Sequence, residues 1–180
     1  ENPRSSVITD TDPQGTTRRW IEKRRDRGVK NPAAAFCSVD KLPNLMKTAE
    51  DKGYKYFFVD TPPDHADERG IRTAIEACDC VVIPTGMSDD DLREIPKTVA
   101  MANDAGKPWC ILLNKGKRSR ALVRSTKAIA KMCEQLGGTH VPVIVYERMD
   151  HVDGSHLHKV AREVAPKSKD RPGGYTRIMK

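Results

Sequence analysis

Tyr56-Phe57-Phe58-Val59-Asp60 is the stretch on which the fold turns. Four apolar residues in a row, closed by an acid, are too few for a buried helix and read as a strand. A strand with one wet face would alternate polar and apolar side chains, and this one does not, so it is covered on both faces. The pattern recurs. Ser6-Val7-Ile8-Thr9 ends in Asp10, Ala33 to Ser38 reads as a short strand, and Cys80-Val81-Val82-Ile83 is stopped by Pro84. Trp109-Cys110-Ile111-Leu112-Leu113 leads into Asn114, and Val141 to Tyr146 closes the series. Between these runs lie helix-like segments: Gly15 to Arg27, Lys41 to Lys52, His65 to Ala77, Asp89 to Ala105 and Ser119 to Leu136. Doubly covered strands alternating with helices define the class as α/β, a doubly wound, mostly parallel sheet with helices on both faces.

Composition sets the bounds. A chain of 180 residues supports a single domain with a sizeable core. Residues 1–169 are read as that domain and residues 170–180 as a basic tail containing glycine and proline. Charged residues make up 32% and aromatic residues 5%, and no apolar run approaches the roughly 20 residues that span a bilayer. The start, Glu1-Asn2-Pro3-Arg4, lacks the form of a signal peptide, so a cytoplasmic protein without a membrane partner is expected. The five cysteines fall in or beside apolar runs and are expected as buried free thiols. A net charge of +7 favours polyanionic partners.

In a parallel sheet the chemistry gathers at the carboxyl ends of the strands. Those ends carry Asp10 and Asp12, then Asp60, then Thr85, then Asn114 and Lys115. Acids on neighbouring strands suit a hydrated Mg²⁺, a hard cation that takes oxygen ligands. Amide and basic groups at the later ends suit phosphate or base recognition. The plainer alternative is that an aspartate follows a strand because it makes a turn or caps the next helix.

Several of these segments resemble a known family. Asp10-Thr11-Asp12-Pro13-Gln14-Gly15 looks like the D-x-D-P-Q-G segment that opens the first switch region of ParA/MinD-type partition ATPases. Phe58-Val59-Asp60-Thr61-Pro62-Pro63 is similar to their Walker B strand and second switch. Ala77 to Thr85, followed by Ser88 and Asp91-Leu92, resembles the next family strand, and Leu112-Leu113-Asn114-Lys115 the strand end that meets adenine. Glu163-Val164-Ala165-Pro166-Lys167-Ser168-Lys169 resembles the loop that closes over the nucleobase. The resemblance runs from about Ser6 to Lys169. It implies ATP and Mg²⁺ as cofactors, with Asp60 holding the metal through water. Asp12 would polarise the attacking water and contribute to the metal site, Asp10 would support that network, Asn114 would bond to the adenine and Pro166 would flank it. It implies partition of plasmid or chromosomal DNA, a homodimer formed on nucleotide, binding to non-specific DNA and a centromere-binding partner protein.

Two departures qualify what is expected. Family members open with a strand and a lysine-containing glycine-rich loop whose N–H groups cradle phosphate. Here no G-K-S or G-K-T occurs, and the chain starts at the strand that should come second. Roughly three dozen family residues are therefore expected to be missing from the front, a figure taken from the resemblance. ATP binding by this chain is expected to be weak or nil. The second departure is Asp170-Arg171-Pro172-Gly173-Gly174-Tyr175-Thr176-Arg177-Ile178-Met179-Lys180, which stands where the family has a final amphipathic helix. It resembles a short signature of a bacterial large-subunit ribosomal protein. Pro172 and the glycine pair rule out a regular helix, and a mobile basic arm is expected.

Basic residues cluster twice. Arg18, Arg19, Lys23, Arg24, Arg25 and Arg27 crowd the first helix, where nearby acids suit a solvated face. Lys117, Arg118, Arg120, Arg124 and Lys127 have no acid between them and suit DNA phosphates, which would also place the protein on the nucleoid. His151, His156 and His158, with Asp150 and Asp153, match no standard zinc spacing. Two further readings use the same strand ends. A phospho-acceptor receiver domain would place the nucleophile at Asp60, a switch hydroxyl at Thr85 and an ion partner at Lys115. A non-catalytic adaptor on the same fold would bind DNA or protein alone. Reading Asp10-Thr11-Asp12 as a sugar-nucleotide metal motif is weaker, because nothing accompanies it.

Overall fold

A computed structural model describes residues 6–29, 31–62, 68–117, 119–146 and 176–179. The chain divides into two compact units, residues 1–79 with 172–180, and residues 80–171. In the first unit, β1 (Ser6–Asp10), α1 (Thr16–Asp26), β2 (Ala33–Phe36), α2 (Leu42–Asp51), β3 (Tyr56–Asp60) and α3 (Glu68–Ala77) alternate as expected. The second unit holds β4 (Val81–Thr85), α4 (Asp89–Asp104), β5 (Trp109–Gly116), α5 (Arg120–Leu136) and β6 (Thr139–Tyr146). One further strand, β7 (Thr176–Met179), returns to the first unit.

Every strand pairing is parallel, in the orders β2-β1-β3-β7 and β4-β5-β6. The α/β class and parallel pairing therefore hold, but as two ladders. The second edge of β3 is occupied by β7, with Tyr56 opposite Thr176 and Val59 opposite Met179. For Thr176–Met179 that strand corrects the expectation of a mobile arm, and residues 170–175 lie outside the described residues. Thr176 to Met179 contain no proline or glycine, so nothing bars them from an extended ladder.

Packing follows the pattern of the sequence. All five residues of β1 are buried, as are Phe57, Phe58 and Val59 of β3. In the second unit Val81, Val82 and Ile83 of β4 and Trp109 to Leu113 of β5 are buried as well. The helices bury one stripe each: Leu42, Met46 and Ala49 of α2, Ile71, Ala74 and Ile75 of α3, Ile95, Val99 and Ala102 of α4. These spacings of three and four residues place each stripe on one helix face. Cys78, Cys80, Cys110 and Cys133 are buried reduced thiols, and Cys37 is a half-buried one. Pro84 sits in β4, an edge strand of its ladder. The Val81 N–H bonds to the Pro108 carbonyl on the β5 side, so by alternation the position of the missing Pro84 donor faces away from β5. A proline there removes no ladder bond.

Candidate functional site

The carboxyl ends of β1 and β3 form the site. Asp10 and Asp60 are in register, closing two neighbouring parallel strands. Between β1 and α1 the chain makes a turn in which the Gly15 N–H bonds to the Asp12 carbonyl at 2.9 Å. Pro13 supplies the fixed φ that the second position of such a turn favours. The Asp12 carboxylate accepts the Gln14 N–H at 2.8 Å, a local bond that stiffens the turn. Gly15 takes φ 63°, where a side chain would be strained, and its turn releases the chain directly into α1.

Asp10 holds this arrangement together. It is 5% exposed, and its two oxygens accept the Asp12 N–H at 3.0 Å and the Arg18 N–H at 2.7 Å. Arg18 is the third residue of α1, and the cap residue Gly15 has no side chain to offer. The strand-end carboxylate therefore does for α1 what a capping side chain ordinarily does, and places a negative charge at the positive end of the helix. The turn-and-cap explanation for a post-strand aspartate thus applies to Asp10. Its role in a metal network would be to fix the loop that other groups stand on.

Asp60 is held by two threonines. The Thr11 N–H and hydroxyl both donate to its carbonyl, at 2.9 and 2.8 Å. Its carboxylate accepts a hydrogen bond from the hydroxyl of Thr17, the second residue of α1. Neither threonine was a candidate from sequence. The signal available for Thr17 was a hydroxyl two residues beyond the turn glycine, on the helix turn that faces the strand ends. Close by, the Thr9 hydroxyl lies 3.8 Å from the Cys37 sulfur. Burial raises the Cys37 thiol above its ordinary value, offset in part by the bond to Thr9, so it is poor in thiolate near neutrality. Arg18 lies over the Phe36 ring at 5.0 Å and bonds to Glu22 at 2.9 Å, and Arg24 lies over the Trp20 ring at 4.6 Å. These contacts engage part of the first basic cluster within its own unit.

The remaining candidates lie in the second unit. Thr85 is buried and its hydroxyl donates to the Gly86 and Asp91 carbonyls at 3.4 and 3.3 Å. Asn114, half-buried, accepts the Lys115 N–H through its side-chain oxygen at 2.9 Å, and Lys115 takes φ 53°. Arg120, Arg124 and Lys127 are exposed along one face of α5, while Leu122, Ser125, Ile129 and Cys133 are buried on the opposite face. Lys131, not among the sequence candidates, is exposed and continues the basic face by one more turn. Lys117 is exposed just before the helix. Arg118, Pro166 and the histidine group with Asp150 and Asp153 lie outside the described residues.

The donor set defines what the first unit can hold. Among the described residues no group of three or more His, Cys, Asp or Glu side chains could hold a metal ion. Mg²⁺ does not need such a cage, since it keeps several waters and takes one or two carboxylates. Asp60 and Asp12 fit that requirement. For the phosphates of ATP the fit is poorer, because the sequence has no lysine-containing glycine-rich loop. Among the described residues no helix is long and apolar enough to cross a membrane. No protein-family model matches the chain, and no curated protein matches it.

Proposed function

We propose that this chain is a ParA-type partition protein whose first unit carries the divalent-cation end of a nucleotide site and whose α5 binds DNA backbone. The observation that carries the reading is the register of Asp10 and Asp60 at neighbouring strand ends, bridged by the D-T-D-P-Q-G turn that presents Asp12. When bound, Mg²⁺ would neutralise phosphate charge, and the chain's own part is to orient Asp60 and Asp12 toward it. The reading carries with it a homodimer formed on nucleotide and a centromere-binding partner protein. With no phosphate-cradling loop in its sequence, the chain is expected to take up Mg-ATP weakly or not at all.

Support for DNA comes from charge and placement. Arg120, Arg124 and Lys127 project from the solvent face of α5, and the sequence has no acid between Arg120 and Lys127. Lysine and arginine contacts to phosphate release counterions, so binding would weaken steeply with salt and ignore sequence. The test is fluorescence anisotropy with a labelled duplex of arbitrary sequence, repeated across salt concentrations. Binding at low salt is expected, and the triple variant R120E/R124E/K127E should flatten the log–log salt slope by about 3. A chain that binds no duplex at low salt would overturn the partition reading. Calorimetry with Mg-ATP, beside Asp60→Ala, tests the other half. Tight binding abolished by the substitution would mean that the site works without the loop.

A further inference from the structure

We infer that Thr17 is a positioning residue for Asp60, an inference that rests on the proposed cation role of that carboxylate. A carboxylate at a strand end can rotate about its last torsion, and a water-mediated cation contact depends on which way its oxygens face. Here the backbone of Asp60 is fixed by the two Thr11 bonds, and its side chain by the hydroxyl of Thr17. Thr17 is itself placed by Asp10, which captures the next N–H of the same helical turn. The result is a relay. Asp10 seats the first turn of α1, that turn presents the Thr17 hydroxyl, and the hydroxyl sets the direction of the Asp60 oxygens.

The chemistry fits an orienting group better than a ligand. A threonine hydroxyl donates one proton, and a carboxylate oxygen accepts it, which fixes the orientation of the carboxylate. Bonds of this outer kind change metal affinity about 10–100-fold when removed. Thr17 is half-buried, which leaves the bond less exposed to competition from water than one on an open helix face. Its hydroxyl is the feature the role needs, so serine should serve and valine should not.

The test is Mn²⁺ titration of the full chain, followed by electron paramagnetic resonance, with Thr17→Val, Thr17→Ser, Thr17→Ala and Asp60→Asn. The wild-type chain is expected to bind, D60N to lose binding, and T17V and T17A each to bind about tenfold more weakly. T17S should return to within about twofold of wild type, a rescue that a purely structural role would not give. Thermal melts identify any variant that fails to fold, and the valine and alanine variants stand in for each other. If D60N abolishes binding but T17V and T17A bind like wild type, the Thr17 role is wrong and the Asp60 reading survives. If the wild-type chain binds no Mn²⁺, or D60N binds as well as wild type, the Asp60 reading falls and takes this inference with it.

Discussion

The buried carboxylate of Asp10 accepts two backbone N–H groups, one from the turn and one from the first turn of α1. Charge-assisted bonds of this kind contribute more than neutral ones, and their loss leaves donors without acceptors. Asp10→Ala is therefore expected to destabilise by about 2–4 kcal/mol, and Asp10→Asn by roughly half as much because one acceptor oxygen remains. Urea denaturation would read this as a lower midpoint at an unchanged slope, and an unmoved midpoint for D10A would refute the capping role. A second residue-scale prediction concerns alkali. Burial raises the Cys133 thiol, and burial is also the largest cause of the rise at Cys37. A thiol raised on folding contributes stability that is full below its unfolded value and lost as pH climbs through the folded one. Melting temperature should hold near neutrality and fall as pH climbs past the ordinary thiol range of about 8.5, and the double variant C37A/C133A should fall less. Equal slopes for the two proteins would place the alkaline loss elsewhere.

Individual elements differ in how visibly they are written. The start of α4 was read at Asp89, where it lies, and the capping box that Ser88 and Asp91 form there came from the fold. Ser88→Ala should cost about 1 kcal/mol, read as a lower melting temperature, and no shift would mean that the acids of the first turn suffice. The cap of α1 was not legible, because it comes from the preceding strand rather than from the cap position. Strand-end acids could be found from sequence since they sit at fixed offsets from apolar runs. Thr17 left only the faint signal of a hydroxyl after the turn glycine, since its bond to Asp60 joins residues 43 positions apart. A close approach was equally hidden at Gly138, where an added Cβ would clash with the Trp109 ring. The ring is tied by a 2.8 Å bond from its N–H to Asn103, so it cannot swing away without losing a partner. Gly138→Ala is expected to lose about 1–3 kcal/mol by overpacking, against no loss if the ring has room to shift.

At the scale of the whole molecule, periodicity gave the α/β class, because two-sided burial leaves a mark on every strand. It could not give the division into two ladders. Which strand neighbours which is decided by non-local pairing, and β7 reaches β3 across more than a hundred residues of sequence. The tail also offered little to read, since four residues of mixed polarity match many structures. Yet β7 has a physical task. Without it the edge of β3 would present unpaired backbone groups beside Phe57, Phe58 and Val59, an apolar edge of the sort that recruits other chains. A chain ending at Arg171 is therefore expected to self-associate where the full chain does not, visible as a rising weight-average mass with concentration in sedimentation equilibrium. The single substitution Ile178→Pro removes one backbone donor from β7 without shortening the chain, and should act in the same direction wherever that donor faces β3. If both variants sediment like the full chain, the β3 edge needs no cover and β7 is a passenger on the sheet.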